Sequence, residues 1–154
     1  MNCSAKILEL LEKHNIDGHD KPGGTDKNTN HTYVDVYGEL LAPYIGKNGS
    51  LLEIGVHYGG SSLLWHDLLE KFKILMIDNE DKLDLSVREK LNYNKYNFLI
   101  ADAYTQETVE HCRNLHPGGF DVIIDDGPHT LESQLKCIEL YVDLLKKDGI
   151  LIIE

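Results

Sequence analysis

The sequence has little cysteine and lacks the features of an exported or membrane-embedded chain. Its three cysteines, Cys3, Cys112 and Cys137, are far apart and form no Cys-x-x-Cys pair. This pattern predicts reduced thiols rather than a disulfide framework. The N-terminus lacks the basic start and apolar run of a signal peptide, and no apolar run approaches the ~20 residues of a membrane span. We therefore expect a cytoplasmic protein with no membrane partner.

Positive charge is also scarce. Fifteen Lys and Arg residues stand against 26 Asp and Glu residues, which gives a formal net charge of -11. This balance disfavours a nucleic-acid partner, because affinity for the phosphate backbone depends largely on clustered Lys and Arg. It is compatible with a cationic ligand or a metal ion, and equally with acidity that serves solubility alone. A chain of 154 residues is long enough for one sizeable hydrophobic core.

Five short apolar runs predict the strands of a sheet. Each run is continuous rather than alternating, which is typical of strands buried on both faces. They are residues 51–56, 74–77, 98–101, 122–124 and 150–153. Helical patterns lie between them at residues 61–70, 86–92, 105–115 and 131–146. Strands that alternate with helices predict an α/β fold, a Rossmann-like, doubly wound parallel sheet with helices on both faces.

The part ahead of the first strand reads as two helices joined by a loop. Ser4 is the predicted N-cap of the first helix. Residues 17–30 are polar and Gly-rich, and a second helix is predicted over residues 33–44, with Val36, Leu40 and Leu41 on one side. We therefore divide the chain into residues 1–48, the N-terminal helices and loop, and residues 49–154, the Rossmann-like core.

The stretch LLEIGVHYGGSS places glycines between the first strand and the next helix. Glycine permits a tight turn and lets a ligand approach the backbone, and the following helix offers free N–H groups. Gly55 and Gly59 have the spacing Gly-x-x-x-Gly, which differs from the Gly-x-Gly-x-x-Gly pattern of NAD-binding proteins. The alternative is a tight turn that needs glycine for its geometry alone.

Acidic residues follow the next strands. Asp78 ends the second strand, about twenty residues after the glycine loop, where an acid typically bonds ribose hydroxyls. Asp102 ends the third strand and completes a line of acids that could face one nucleoside. The alternative for each is a solvated carboxylate at a strand end.

These stretches carry a resemblance to a known family. LLEIGVHYGGSS, MIDNE, ADAYT and FDVIIDDGPHT, in this order, resemble class I S-adenosylmethionine-dependent methyltransferases. GTDKNTNHTYVDVY ahead of the first strand, DDGPHT and GILIIE are similar to metal-dependent O-methyltransferases of the macrolide-sugar type and to the related family named after cephalosporin hydroxylase. The resemblance covers about residues 24–154 and implies Mg²⁺-assisted methyl transfer to the hydroxyl of a small molecule or sugar.

The resemblance implies a role for each matching residue. The methionine part of S-adenosylmethionine would be surrounded by Glu53, Gly55, Gly59 and Ser61. Asp78 would hold the ribose, and Asp102 and Ala103 would lie by the adenine. The segment Gly24–Lys27 would form part of a lid, with Thr25 and Lys27 contributing to cofactor binding and His31 and Tyr33 nearby.

The stretch DDGPH would carry the catalytic group. Asp126 resembles a divalent-metal ligand, with Glu154 as a second ligand on the adjacent strand, and His129 resembles a general base. Two carboxylates at neighbouring strand ends repel one another when ionised, and Mg²⁺ would remove that repulsion. Successive strand residues point to opposite faces, so only one of Asp125 and Asp126 faces a given site. Asp125 is placed among the cofactor-binding residues, with the alternative that it bonds nearby backbone N–H groups and fixes the turn.

The chain departs from the family in strand number. Class I methyltransferases usually have seven strands, and this sequence reaches the fifth, which leads us to expect a fragment or a shortened homologue. The last strand would then be covered by self-association, giving a homo-oligomer, or by further sequence. Two other functions remain open, a cofactor-binding module without catalysis and an NAD-binding domain. The other histidines show no metal-like spacing and are expected at the surface or in packing; they are His14, His19, His57, His66, His111 and His116.

Overall fold

The structure is a computed structural model that describes residues 2–29 and 31–154. Asn30, in the predicted loop, lies outside the described residues. The chain forms two compact units. The first comprises the residues up to Asn48 together with His57–Phe72 and Lys82–Lys95, and the second comprises Gly49–Val56, Lys73–Asp81 and Tyr96–Glu154. The sequence-based division into residues 1–48 and 49–154 stays a prediction.

The first unit begins with helix α1, Cys3–His14. Asn2 is its N-cap, because the Asn2 side chain accepts a hydrogen bond from the Ala5 N–H at 2.7 Å. The cap predicted at Ser4 is therefore wrong. Asn and Ser are both good N-caps, and which of them caps the helix depends on where the main chain enters the helical conformation.

Helix α2 spans Val34–Leu41 and continues as a 3-10 turn, Ala42–Tyr44. Its buried side chains include Val34, Tyr37 and Leu41, at helical spacing. The apolar face predicted from Val36 and Leu40 is wrong, since Val36 is 55% exposed and Leu40 is also exposed. The aromatic ring of Tyr37 decides the buried face, because it packs on Trp65 with ring centroids 4.7 Å apart.

Two further helices belong to the first unit, α3, Gly60–Leu68, and α4, Leu85–Arg88. Helix α3 is buried almost all round, and Trp65 is fully inaccessible. Helix α4 is shorter than the predicted 86–92. Asp84 caps it by accepting the Ser86 N–H at 2.8 Å.

A five-stranded parallel sheet forms the centre of the second unit. The strands are β1 Gly49–Ile54, β2 Phe72–Asp78, β3 Tyr96–Ile100, β4 Phe120–Asp125 and β5 Leu145–Ile153. Their order in the sheet is β3-β2-β1-β4-β5. The strand order reverses between β1 and β4, and ligands of such sheets bind beyond the carboxyl ends of the strands at this point.

The central strands are buried on both faces. Leu52 and Ile54 belong to a core that includes residues of α5, Gln106–Leu115, and α6, Leu131–Tyr141. Leu51 and Glu53, which point to the opposite face, are fully buried as well. The sequence-based prediction of a Rossmann-like α/β fold with a parallel sheet is confirmed.

The boundary between α6 and β5 differs from the prediction of a helix over residues 131–146. Helix α6 ends at Tyr141, a 3-10 turn covers Val142–Leu144, and β5 begins at Leu145. Gly149, expected just after a helix, lies within β5, where the pairing with β4 is irregular. The helical spacing of apolar residues in this segment also places a row of them in solvent, namely Leu131, Leu135, Ile138 and Val142.

Among the described residues, no helix is long and apolar enough to cross a membrane. All three cysteines are unpaired; Cys112 and Cys137 are buried. The cytoplasmic location stays a prediction.

Candidate functional site

Asp78 ties the end of β2 to the end of β1. Its Oδ2 accepts a hydrogen bond from the Val56 N–H at 2.8 Å, and its Oδ1 accepts one from the Glu80 N–H at 3.4 Å. The residue is half-buried. The carboxylate is therefore held at the carboxyl end of the sheet, where part of it remains accessible to solvent.

Asp102 and Ala103 follow β3 and are held by side chains from two helices. The Asp102 carbonyl accepts the Thr108 hydroxyl at 2.7 Å, and the Ala103 carbonyl accepts the Tyr141 hydroxyl at 2.6 Å. Burial raises the pKa of Tyr141, so that its hydroxyl remains a donor at neutral pH. The main chain predicted to lie beside an adenine is thus held by hydrogen bonds from side chains of α5 and α6.

Asp125 ends β4 and is 2% exposed. Its Oδ1 accepts the Tyr104 hydroxyl at 2.7 Å and the Gly127 N–H at 3.2 Å. Burial, followed by the neighbouring Asp125 carboxylate, raises the pKa of the Cys137 thiol, so this thiol stays protonated. These contacts match the alternative role of Asp125, in which it fixes the turn that follows. Its predicted contact with a cofactor stays a prediction.

Asp126 and His129 lie together just beyond β4. The Asp126 N–H donates to the Ile54 carbonyl at 2.9 Å, and Asp126 Oδ1 lies 3.5 Å from His129 Nε2. His129 Nδ1 is 3.2 Å from the main-chain oxygen of Glu154, which also accepts from Gln134 Nε2 at 3.0 Å. The His129 side chain is 55% exposed, and its backbone φ is 54°. The imidazole is therefore oriented through one nitrogen and presents the other beside a carboxylate.

Asp126 and Glu154 occupy equivalent positions on neighbouring strands. Asp125 pairs with Ile153 in the β4–β5 ladder, and each acid is the next residue along its strand. Among the described residues, no group of three or more His, Cys, Asp or Glu side chains is arranged to hold a metal ion. Mg²⁺ often takes one or two protein carboxylates and keeps several waters, so the chemistry of this acid pair fits Mg²⁺.

Glu53 and Gly55 belong to β1 and the turn after it. Glu53 is fully buried, opposite Ile124 of β4. Gly55 has φ 85°, and a Cβ atom there would lie 2.0 Å from the Asp126 carbonyl oxygen. Packing of the main chain is therefore sufficient reason for glycine at this position, and its predicted cofactor contact stays untested.

The other four predicted cofactor residues lie in the first unit. Thr25 is buried and bonds through its main chain to Ile16, and Lys27 is buried with its Nζ 3.7 Å from Asp26 Oδ1. Gly59, with φ 88°, is the N-cap of α3, and Ser61 is buried within that helix. Their roles toward a cofactor stay predictions.

Two histidines that the sequence left without a role share one carboxylate. His14 Nε2 lies 2.9 Å from Asp67 Oδ2, and His66 Nδ1 lies 2.9 Å from Asp67 Oδ1. Lys13 Nζ also donates to Oδ2, at 3.1 Å. Burial opposes ionisation of Asp67, but hydrogen bonds from these neighbours together hold its pKa well below the usual range. The cluster links α1 to α3 within the first unit and agrees with the expected packing role of His66.

Sequence reasoning missed Tyr104 and Gln134, which hold Asp125 and Glu154 in place. Each acts across 20 or more residues of sequence. The alternation of strands and helices shows which segments meet at the edge of the sheet, but no local motif marks these two side chains.

Comparison with known proteins places most of the chain in one family. The family model described as "Methyltransferase domain" matches residues 52–154. The 8-demethyl-8-alpha-L-rhamnosyl tetracenomycin-C 2'-O-methyltransferase of Streptomyces olivaceus is 26% identical over 155 residues, covering 90% of this chain and 39% of that protein.

Two solved structures share the fold. The MycE methyltransferase from the mycinamycin biosynthetic pathway, in complex with Mg and SAH, has a TM-score of 0.68 and 20% identity, covering 96% of this chain and 34% of its own. The SAH-bound methyltransferase PaMTH1 of Podospora anserina has a TM-score of 0.61 and 17% identity, covering 97% of this chain and 61% of its own. The chain thus spans less than two thirds of the length of each of these relatives, from 34% to 61%.

Proposed function

Because the chain belongs to the methyltransferase domain family, we propose that it binds S-adenosylmethionine and serves O-methyl transfer to a small-molecule or sugar hydroxyl. The resemblance to S-adenosylmethionine-dependent methyltransferases drawn from the sequence is confirmed at the level of the family. The observation that carries the proposal is the set of acids at or just beyond the carboxyl ends of β2, β3 and β4, namely Asp78, Asp102 and Asp126, at the edge of the sheet where ligands of such folds bind.

The acceptor class rests on the relatives. The Streptomyces protein is named as a 2'-O-methyltransferase of a rhamnosyl compound, and MycE has also been solved with Mg, SAH and mycinamycin VI. By name, the first therefore acts on a rhamnosyl compound, and the second has been solved with a small molecule bound. We extend this class to the present chain as a proposal.

In the proposed mechanism the chain mainly binds and orients. A methyl sulfonium carries its own leaving group, so alignment of the acceptor oxygen with the methyl carbon and sulfur is the main requirement. Asp78 would accept hydrogen bonds from the ribose hydroxyls, since its carboxylate is already fixed by the Val56 N–H. The main chain of Asp102 and Ala103 would line the adenine side, supported by Thr108 and Tyr141.

His129 would take the proton of the acceptor hydroxyl. Its Nδ1 faces the Glu154 main-chain oxygen, which suits the tautomer with the proton on Nδ1 and the lone pair on Nε2. Asp126 and Glu154 would hold Mg²⁺, which when bound orients an acceptor hydroxyl and lowers its pKa. His129 Nε2 beside Asp126 would then be close to the hydroxyl that reacts.

Titration calorimetry tests the cofactor part of this proposal. The wild-type chain should bind S-adenosylmethionine and S-adenosylhomocysteine but not NAD. Asp78→Asn should weaken S-adenosylhomocysteine binding by about 1–3 kcal/mol, the scale for a lost hydrogen-bond partner at a polar group. Asp143→Asn, an exposed acid in the turn before β5, is the matched control and should bind as wild type does.

Three experimental results would each reject a different part of the proposed function. Binding of NAD in place of S-adenosylhomocysteine would favour a dinucleotide-binding domain. Equal affinity of Asp78→Asn and wild type would remove the ribose assignment. Cofactor binding with no methyl transfer to any sugar or macrolide hydroxyl would favour a cofactor-binding module without catalysis.

A further inference from the structure

Tyr104 connects the chain after β3 to the chain after β4. Its own N–H donates to Asp102 Oδ1 at 2.9 Å, and its hydroxyl donates to Asp125 Oδ1 at 2.7 Å. Asp125 is almost completely buried, so a partner for its carboxylate must come from the protein. One residue therefore bonds to the acid that follows β3 and to the acid that ends β4.

The Tyr104 hydroxyl also lies directly against the turn that follows Asp125. A Cβ atom on Gly127 would be 2.1 Å from Tyr104 Oη and 2.9 Å from Asp125 Oδ1. The Gly127 N–H donates to the same Asp125 oxygen at 3.2 Å. The hydroxyl, the carboxylate and the glycine thus form one tightly packed group that leaves no space for a side chain at position 127.

This turn carries the residues proposed to bind metal and accept a proton. Its start is held by main-chain bonds on both sides, from the Asp126 N–H to Ile54 and from the Glu154 N–H to Asp125. Its end is at His129, whose backbone has the left-handed φ of 54°, a conformation that persists only when surrounding contacts impose it. The group formed by Tyr104, Asp125 and Gly127 lies between these two ends.

We propose that Tyr104 is a positioning residue for metal binding: through Asp125 and Gly127, its hydroxyl holds the turn that carries Asp126 and His129 in the geometry that binds a divalent cation. This inference rests on the proposed function, in which Asp126 is a metal ligand. Burial, and then the adjacent Asp125, raise the pKa of the Tyr104 hydroxyl, so it remains a hydrogen-bond donor across the pH range of an assay. Loss of a group that orients metal ligands from outside the coordination shell typically lowers metal affinity or activity about 10- to 100-fold.

The test compares Tyr104→Phe with Tyr141→Phe. Each substitution removes one buried hydroxyl that donates one hydrogen bond, to Asp125 in the first case and to the Ala103 carbonyl in the second. Mn²⁺ affinity is measured by the paramagnetic signal of the free ion, and thermal unfolding is followed for both variants. We expect Tyr104→Phe to weaken Mn²⁺ binding about tenfold and Tyr141→Phe to change it by less than about twofold, although both lower the melting temperature.

Two further measurements keep the outcome decisive. The Gly127 amide should exchange its hydrogen faster in Tyr104→Phe than in Tyr141→Phe, since only the first frees the turn. Should Tyr104→Phe fail to fold, Asp125→Asn removes the charge that receives the Tyr104 and Gly127 donors, and it should weaken Mn²⁺ binding in the same direction.

The results separate this inference from the proposed function. Equal Mn²⁺ affinity in wild type and Tyr104→Phe, or equal weakening in both tyrosine variants, would overturn the positioning role while leaving the metal assignment intact. A wild-type chain that binds S-adenosylhomocysteine but no Mn²⁺ at millimolar concentration would overturn the metal assignment and this inference together, and would leave the cofactor proposal standing.

Discussion

Substitution of Gly55 by alanine should destabilise the protein strongly, because two independent features of the structure require glycine there. The residue has φ 85°, and a Cβ atom would lie 2.0 Å from the Asp126 carbonyl oxygen. Ordinary van der Waals contact begins near 3.4 Å, so the end of β1 and the chain after β4 would have to separate by about 1.4 Å.

The magnitude follows from these two features. A left-handed backbone costs an L-residue roughly 1–2 kcal/mol. The separation would also stretch the bond from the Asp126 N–H to the Ile54 carbonyl, now 2.9 Å, beyond hydrogen-bonding distance. The loss of that bond adds about 0.5–1.5 kcal/mol, and residual overlap adds more, so we expect a total of about 2–4 kcal/mol. Small domains have about 5–15 kcal/mol of stability, so the variant should still fold.

Gly46→Ala is the matched control. Gly46 has φ 75°, but a Cβ atom there meets nothing within 4 Å. This variant should therefore show the backbone cost alone, about 1–2 kcal/mol. The free energy of unfolding is measured for both variants and wild type by urea titration, with circular dichroism and fluorescence followed together to check two-state behaviour. Equal destabilisation by the two substitutions would refute the close approach of Gly55 to Asp126.

Three other outcomes are expected. Asp126→Asn should bind Mn²⁺ more weakly than wild type and than the control Asp143→Asn. If a paramagnetic titration gives the same Mn²⁺ affinity for all three proteins, Asp126 is not a metal ligand. Burial holds the pKa of His66 below its ordinary value, so the folded state binds fewer protons than the unfolded state and the free energy of unfolding should fall as the pH drops from 7 to 5. Urea midpoints measured across this pH range in wild type and His66→Gln check this prediction. A dependence of the midpoint on pH that is the same in His66→Gln as in wild type would contradict it. The homo-oligomer predicted to cover β5 should dissociate when Ile152, half-buried on that strand, is changed to Glu, and sedimentation velocity that finds only monomer in wild type would contradict self-association.

Much of the candidate site could be predicted from the sequence because its residues are tied to strand ends. A continuous apolar run identifies a buried strand, and the residue after it must lie at one edge of a parallel sheet. Asp78, Asp102 and Asp126 were located in this way, and the structure places each beside the strand end expected.

Element boundaries were less predictable where helix and strand patterns overlap. Leu145 continues the apolar spacing of α6, yet it begins β5, because pairing with β4 supplies backbone hydrogen bonds that a helix end there would forgo. The buried face of α2 was also misjudged, since the packing of Tyr37 on Trp65 joins residues far apart in the chain. Such contacts leave no periodic signal.

The sequence by itself determined the fold class, the parallel sheet and the family, because hydrophobic runs, glycine positions and strand-end acids are local features. Only the tertiary structure decided how the acids are held. It showed that Asp125 faces Tyr104 and Gly127 within the protein, while Asp126, its neighbour, lies beside His129. The physical reason is that successive residues at a strand end point in opposite directions, and which direction leads to the interior depends on side chains brought there by other elements.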